Sequence, residues 1–220
     1  YRLRMYVDEN YNPQGDGGGL TFTVQVNVYG KAGLSMEDRM MRAAGNEDFH
    51  ADEYKEKITS IVTKNNTTIP EGVIESWDIS EKQNGSVIAY IEDDGTGSGT
   101  YKLTIGSQDK IIANYNMSNY FDGFINTKTI DLTHLDTSMV TDMSWMFSRD
   151  IFSDLNMTLK EIIFGNNLDT SNVEDMGGMF AFCSSIEELD LSNFDTSKVT
   201  SMARMFFGCT SLTKLNLSSF

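Results

Sequence analysis

Two histidines and two cysteines are the side chains of this sequence best suited to acid–base or nucleophilic chemistry. His50 and His134 lie in different parts of the chain, and neither is near a serine or cysteine in a recognisable nucleophile motif. Adjacent carboxylates such as Asp93 and Asp94 recur, but an acidic surface produces such pairs by chance. Phosphate-binding, dinucleotide-binding and zinc-protease motifs are absent. We therefore expect a protein that is not an enzyme and uses no cofactor.

Metal-ligand spacing occurs near the amino terminus. Asp8, Asn10 and Asn12 are spaced like the first ligands of a calcium loop, but the glycine and glutamate needed further along are replaced by Pro13 and Gly19. A solvated loop explains these residues better. The two cysteines have no third or fourth ligand nearby, which argues against a zinc centre. We expect no metal site.

The charge of the chain limits its partners. In 220 residues there are 17 Lys and Arg against 32 Asp and Glu, a formal net charge of -15. Such a chain repels phosphate backbones and anionic lipid headgroups, and it has no apolar run of about eighteen residues. We expect no nucleic-acid partner and no membrane insertion. Because the sequence opens on YRLRMYV without an export signal, we expect a mature or trimmed product.

A segment of twelve residues recurs three times without a gap. The copies are DTSMVTDMSWMF at 136–147, DTSNVEDMGGMF at 169–180 and DTSKVTSMARMF at 195–206, and MSNYFDGFINTKTIDL at 117–132 is a degenerate copy. The apolar residues after D-T-S are spaced at offsets 0, 3, 6 and 7, which predicts one face of a short helix. An L-x-x-L-x-L pattern follows and predicts a short strand. Recurrence at this scale favours a stacking architecture.

The D-T-S triplet predicts a corner between strand and helix, because Asp and Ser side chains accept backbone N–H bonds in turns and caps. A unit of this size has one apolar side and cannot bury it alone, so neighbouring units must share a core. The predicted fold is α+β, a short solenoid with one strand and one short helix per repeat over residues 117–220. We expect a β-rich amino-terminal cap over residues 57–116 and a further β-hairpin region within residues 1–50.

Cys183 and Cys209 occupy matching positions of adjacent copies. Stacked strands run about 4.8 Å apart, a separation that is compatible with a disulfide. Side chains in such a ladder point in parallel rather than toward each other, which favours two buried thiols. Both interpretations stay open at the level of the sequence.

The segment LDLSNFDTSKVTSMARMFFGCTSLTKLNLSSF resembles the bacterial surface protein 26-residue repeat, also called the BspA-like leucine-rich repeat. The resemblance spans about residues 117–220. It implies a leucine-rich-repeat-like solenoid in an exported bacterial protein that is displayed on the cell surface and is often associated with adhesion. The copy interrupted at 148–168 departs from the pattern, since Asp150 stands at the cysteine position. The amino-terminal hairpin is similar, over about thirty residues, to pilin-like and camelysin-like secreted subunits.

The outward residues of the predicted strands form the candidate partner-binding face, because stacking arranges them in a grid. They are Thr129, Asp131, Glu161, Ile163, Glu188, Asp190, Lys214 and Asn216. We expect this face to bind an extracellular protein or glycan. One alternative is a structural subunit of a surface appendage, which associates head to tail through the strand at Leu215 and Leu217. Another is a non-catalytic module of a larger secreted protein.

Overall fold

The computed structural model describes residues 35–45, 47–149 and 157–220. The predicted hairpin within residues 1–30, the calcium-like spacing at Asp8 and the position of Asp150 lie outside the described residues. Within the described ranges, we find no helix with the length and apolarity that crossing a membrane requires.

Strands and turns make up most of the described chain. Its helices are a 3-10 helix (Glu37–Arg39) and the four-residue α1 (Asp52–Lys55). The strands are β1 (Ile58–Lys64), β2 (Glu75–Asp78), β3 (Val87–Asp93), β4 (Tyr101–Ser107), β5 (Ile111–Ile112), β6 (Thr129–Asp131), β7 (Leu135–Asp136), β8 (Glu161–Ile163), β9 (Glu188–Asp190) and β10 (Lys214–Asn216).

The largest sheet has the strand order β2-β3-β4-β1-β6-β8. Strands β2, β3 and β4 are antiparallel neighbours, as the Asn84-Gly85 turn and the Gly-rich turn at 95–99 predict. Gly85 has a φ of 71°, which a glycine adopts without strain. Strand β1 pairs in parallel with both β4 and β6. The sheet therefore continues from the predicted cap into the repeats. The domain boundaries given above remain a prediction.

The prediction of a short helix in each repeat is wrong. The predicted α+β solenoid, built from units of one strand and one helix, is therefore wrong as well. The residue in third place of the M-x-x-M-F motif has a left-handed backbone in every copy: Asn119, Trp145, Gly178 and Arg204 have φ between 56° and 63°. A right-handed helix needs φ near about −63° at each residue. A left-handed residue in the middle of each short segment therefore interrupts any helix.

Backbone hydrogen bonds between copies replace the helix. The N–H groups of Met143, Trp145 and Phe147 donate to the carbonyls of Asp175, Gly177 and Met179 in the next copy, at 2.9, 2.8 and 2.9 Å. Parallel bridges link Asn116, Asp142, Asp175 and Ser201 in the same direction. The turns of neighbouring copies therefore pair with one another along the repeats.

The apolar residues of the motif still face the core. Val140, Met143, Met146 and Phe147 are at most 1% exposed. The recurring Phe rings of successive copies stack with centroids 5.6–5.8 Å apart and planes within 11° of each other. Burial of this continuous row supplies the hydrophobic stabilisation that no single copy provides.

The D-T-S corner behaves as predicted for its aspartate. The Asp136, Asp169 and Asp195 carboxylates each accept the backbone N–H two residues later, at 2.9–3.1 Å. The sequence did not reveal the part played by the threonine. Buried Thr137 and Thr170 donate their hydroxyls to the carbonyls of Asp169 and Asp195 in the next copy. The triplet thus forms a turn and also joins neighbouring copies.

Residues 48–50 cover the first copy. The His50 ring lies between the Asp48 carboxylate, 2.6 Å from Nδ1, and the Tyr120 carbonyl, 3.0 Å from Nε2. Both ring nitrogens therefore have a polar partner inside the protein. Phe49 packs against Tyr120 and Phe124. The side chain of Arg42 donates to Asp48 at 2.6 Å and completes the buried cluster.

Candidate binding groove

The predicted strand-face residues fall into two paired groups. Thr129 lies opposite Glu161 and Asp131 opposite Ile163 across β6 and β8. Glu188 lies opposite Lys214 and Asp190 opposite Asn216 across β9 and β10. The expected continuous grid is therefore divided, because β8 ends the large sheet while β9 and β10 form a separate two-stranded sheet.

A groove of about 720 Å³ lies where the grid is divided. Five of the eight predicted residues line it, namely Glu161, Glu188, Asp190, Lys214 and Asn216. Six further lining residues were not predicted from the sequence: Lys160, Ile162, Ser185, Glu187, Leu189 and Leu215. Thr129, Asp131 and Ile163 lie outside this lining. The structure thus gathers most of the predicted face around one concavity.

The groove-facing edge of β8 follows from its bonds to β6. In a parallel pair, alternate residues of a strand bond to opposite neighbours. The Glu161 N–H donates to Lys128, and the Ile163 carbonyl accepts from Leu132 at 2.8 Å. Because these two residues bond to the β6 side, the N–H and carbonyl of Ile162 face the groove.

The same alternation identifies the groove-facing edge of β9. The Glu187 carbonyl accepts from Lys214 at 3.1 Å, and the Leu191 N–H donates to Asn216 at 3.0 Å. Residues 187, 189 and 191 therefore face β10. The backbone groups of Glu188 and Asp190 face the groove, opposite the edge of β8.

The groove is acidic. Four of its lining side chains are carboxylates and two are lysines. The Glu188 carboxylate accepts a hydrogen bond from Lys214 and raises the pKa of that lysine, so this pair stays ionised. Hydrogen bonds from Ser192 hold the pKa of Asp190 below its usual value. The surplus of negative charge therefore persists at neutral pH and favours a cationic partner.

The floor of the groove is apolar. Leu189 is 6% exposed, and Ile162 is half-buried and packs against the core. Leu215 is 37% exposed at the far side. Acidic walls over an apolar floor provide contacts for a partner whose side chains alternate between cationic and apolar.

The segment between strand and D-T-S is one residue longer after β8, the strand at which the large sheet ends, than after β6 or β9. Five residues separate strand from D-T-S in the second copy (164–168), whereas four do so at 132–135 and 191–194. The additional residue brings Gly165 against Thr133, where an added Cβ would lie 2.5 Å from the Thr133 Cα. Gly165 also has a φ of 68°, so only glycine fits this position well.

The chemically reactive side chains take structural positions. Cys183 and Cys209 are free thiols, as the ladder interpretation predicts. Their S–H groups lie 3.2 and 3.0 Å from the carbonyls of Phe147 and Phe180 in the preceding copies. Burial raises the pKa of Cys209 to about 11 and that of Cys183 well above its usual value. Both thiols therefore stay protonated and unreactive at neutral pH.

His50 and His134 do not meet in the structure. His50 belongs to the buried cluster with Asp48, whereas His134 is half-buried and its carbonyl accepts from Ile111. Over residues 35–45, 47–149 and 157–220, no group of three or more His, Cys, Asp or Glu side chains is arranged to hold a metal ion.

A family model covers the carboxyl-terminal part of the chain. Residues 115–220 match DUF285, described as a Mycoplasma protein of unknown function. The match shows that the repeats are similar to a bacterial family, which agrees with their resemblance to bacterial surface proteins. It does not confirm the 26-residue repeat. Comparisons with curated proteins and with solved structures found no match. The DUF285 segment contains every copy of the repeat and the whole groove.

Proposed function

We propose that this chain is a non-catalytic binding protein of a bacterial cell surface, and that the strand face of its DUF285 segment mediates adhesion to an extracellular protein or glycan. The observation that carries the proposal is the acidic groove between β8 and β9, which gathers five residues of the predicted face. A bacterial surface location is supported by the family match and by the resemblance of the repeat.

The lining of the groove favours binding over catalysis. Two of its carboxylates are engaged in structural contacts, because Glu188 pairs with Lys214 and Asp190 accepts the backbone N–H of Ser192. The pKa of Asp190 is lowered and that of Lys214 is raised, so both shifts favour the ordinary charged form of the group. Repeat proteins build recognition surfaces from such recurring outward residues. The proposed activity is therefore recognition of a partner, with charge contributing mainly to specificity and to the rate of association.

Charge reversal tests this function. We expect Glu188→Lys with Asp190→Lys to weaken attachment to the extracellular partner by about tenfold or more, because two rim carboxylates become repulsive. Arrays of extracellular proteins and of glycans would identify the partner, and surface plasmon resonance would measure its affinity. The matched control is Glu71→Lys with Glu174→Lys, which makes the same change in net charge at exposed positions outside the groove. Equal loss in both variants, or in neither, would contradict the proposal.

A second candidate function is a structural subunit that assembles end to end. Five large apolar side chains are exposed on the last copy, at 36–57%: Met202, Phe207, Leu215, Leu217 and Phe220. In the preceding copy, Met176 and Leu189 are at most 6% exposed because the next copy covers them. Against extended assembly, residues 48–50 already cover the first copy. Sedimentation velocity over a wide concentration range tests this candidate.

A further inference from the structure

The groove between β8 and β9 is bounded by two strand edges with unpaired backbone groups. Ile162 presents an N–H and a carbonyl from one side, and Glu188 and Asp190 present theirs from the other. Neither strand pairs across the groove in the described structure. Unpaired edges of this kind are templates for an additional strand.

The size of the groove suits one extended segment. A strand residue in a packed sheet occupies roughly 160 Å³, from a rise of about 3.3 Å, a strand spacing of about 4.8 Å and a depth of about 10 Å. A groove of about 720 Å³ therefore holds about four to five residues. The strands on its two sides are three residues long and both run in the direction of their parallel partners.

The side chains of the groove specify the chemistry of that segment. Glu161 lies on the rim from β8, and Glu188 and Asp190 lie on the rim from β9. Between them, Ile162 and Leu189 form an apolar floor. Side chains of an extended strand alternate between two faces, so cationic residues would meet the rim while apolar residues meet the floor.

We propose that this groove takes up an extended segment of a partner protein, rich in lysine or arginine at alternate positions, as an additional β-strand between β8 and β9. The proposal rests on the proposed function and narrows its partner from any extracellular protein or glycan to a cationic peptide segment. The inserted strand would join the large sheet to the β9–β10 pair through main-chain hydrogen bonds. A glycan offers no row of amide groups to match both edges, and an acidic glycan is repelled by the rim.

A synthetic probe separates recognition of the main chain from recognition of charge. The probe is a blocked seven-residue peptide that alternates lysine and valine. We expect the full chain to bind it with amide shifts at Ile162, Glu188 and Asp190 in heteronuclear NMR. N-methylation of the valines removes N–H donors from one edge and leaves the charge unchanged. We expect this change to weaken binding, measured by isothermal titration calorimetry, by about tenfold or more.

The protein variants and a reversed peptide complete the test. We expect Glu188→Lys with Asp190→Lys, and a peptide with glutamate in place of lysine, to abolish measurable binding, while Glu71→Lys with Glu174→Lys leaves it unchanged. Circular dichroism verifies that the exposed substitutions preserve folding. Equal binding of the N-methylated and unmodified peptides would overturn strand addition and leave charge recognition standing.

The array experiment distinguishes failure of this inference from failure of the proposed function. If the lysine–valine peptide does not bind while charge reversal still abolishes attachment to a glycan, the inference is wrong and the binding function stands. If charge reversal changes neither peptide binding nor attachment, both are wrong. Binding that persists with amide shifts confined to residues outside the groove also overturns the inference.

Discussion

At the scale of single residues, His50 shows how a side chain takes the place of a backbone group. At the next junction, the Phe121 N–H donates to the carbonyl of Met146 at 2.8 Å. The corresponding carbonyl of the first copy belongs to Tyr120, and the Nε2 atom of His50 lies 3.0 Å from it. His50 therefore closes the first copy as a preceding repeat would. This role explains a buried histidine that the sequence left without a function.

The stability of this cap depends on the charge of Asp48. Burial of Asp48 acts to raise its pKa, but the hydrogen bond and charge of His50, with the hydrogen bond from Arg42, outweigh burial and lower it. A carboxylate whose pKa is depressed on folding stabilises the folded state above its unfolded pKa of about 3.9. That stabilisation is lost as the pH falls through the lower, folded pKa.

We expect Asp48→Asn to lower the free energy of unfolding by about 2–4 kcal/mol at pH 7, because the buried Arg42–Asp48 ion pair and the contact of Asp48 with His50 lose their anion. The difference from the unsubstituted protein should narrow as the pH falls below about 4. Urea denaturation followed by circular dichroism between pH 2 and 7 measures it. Asp52→Asn is the control, since that side chain is 84% exposed and should change stability by less than about 1 kcal/mol. A difference that widened at low pH would contradict the assignment.

At the scale of elements, the repeat uses left-handed turns where its periodicity predicts a helix. Residue offsets of 0, 3, 6 and 7 place side chains on one face of a helix, but two successive turns place them on the same side as well. A second left-handed residue precedes the cysteine position at Gly123, Phe182 and Gly208. The turns expose backbone N–H groups sideways, so that copies bond to one another rather than within themselves.

Substitutions at the left-handed position in third place of the M-x-x-M-F motif distinguish the observed turn from the predicted helix. We expect Gly178→Ala to lower the free energy of unfolding by about 2–4 kcal/mol, because its Cβ would lie 2.5 Å from Trp145 ring carbons and its φ is 63°. Arg204→Gly should be close to neutral, since relief of a left-handed arginine of about 1 kcal/mol offsets the entropy of glycine. In a helix, Gly178→Ala would stabilise by about 1 kcal/mol and Arg204→Gly would destabilise by a similar amount. Urea unfolding midpoints decide between the two structures, because the expected effect of Gly178→Ala has opposite signs and only a helix makes Arg204→Gly destabilising.

Local chemistry predicted individual turns and buried side chains, whereas the predicted strand-plus-helix fold was wrong and long-range pairing did not follow from local signals. The hairpin at Asn84-Gly85, the turn at each D-T-S aspartate and the inward direction of the Met and Phe side chains were predicted correctly. Each depends on a few adjacent residues. The division between β8 and β9 depends on which strands pair over long sequence separations, and no local signal in the sequence specifies it. Five of the predicted face residues still line the groove, because strand alternation is local.

At the scale of the whole molecule, the stacked copies have a direction. Each copy donates N–H groups to carbonyls of the next one, and on the first copy the Tyr120 carbonyl is occupied by His50. On the last copy, the N–H groups of Met202, Arg204 and Phe206 have no acceptor within the part of the chain that the structure describes. Unpaired donors and apolar side chains thus face outward on the last copy, whereas on the first copy His50 occupies the Tyr120 carbonyl.

This polarity limits self-association. Propagating head-to-tail assembly needs the Tyr120 carbonyl, which His50 occupies, so we expect sedimentation velocity to show monomers and, at high concentration, no species larger than a dimer. A dimer would join two apolar end faces, and Phe207→Asp, at a side chain that is 57% exposed, should remove it. Tyr115→Asp is the control, because that aromatic side chain is 44% exposed elsewhere in the DUF285 segment. Filaments or a ladder of higher oligomers would show that the cap at His50 opens, and would place the structural-subunit function ahead of binding.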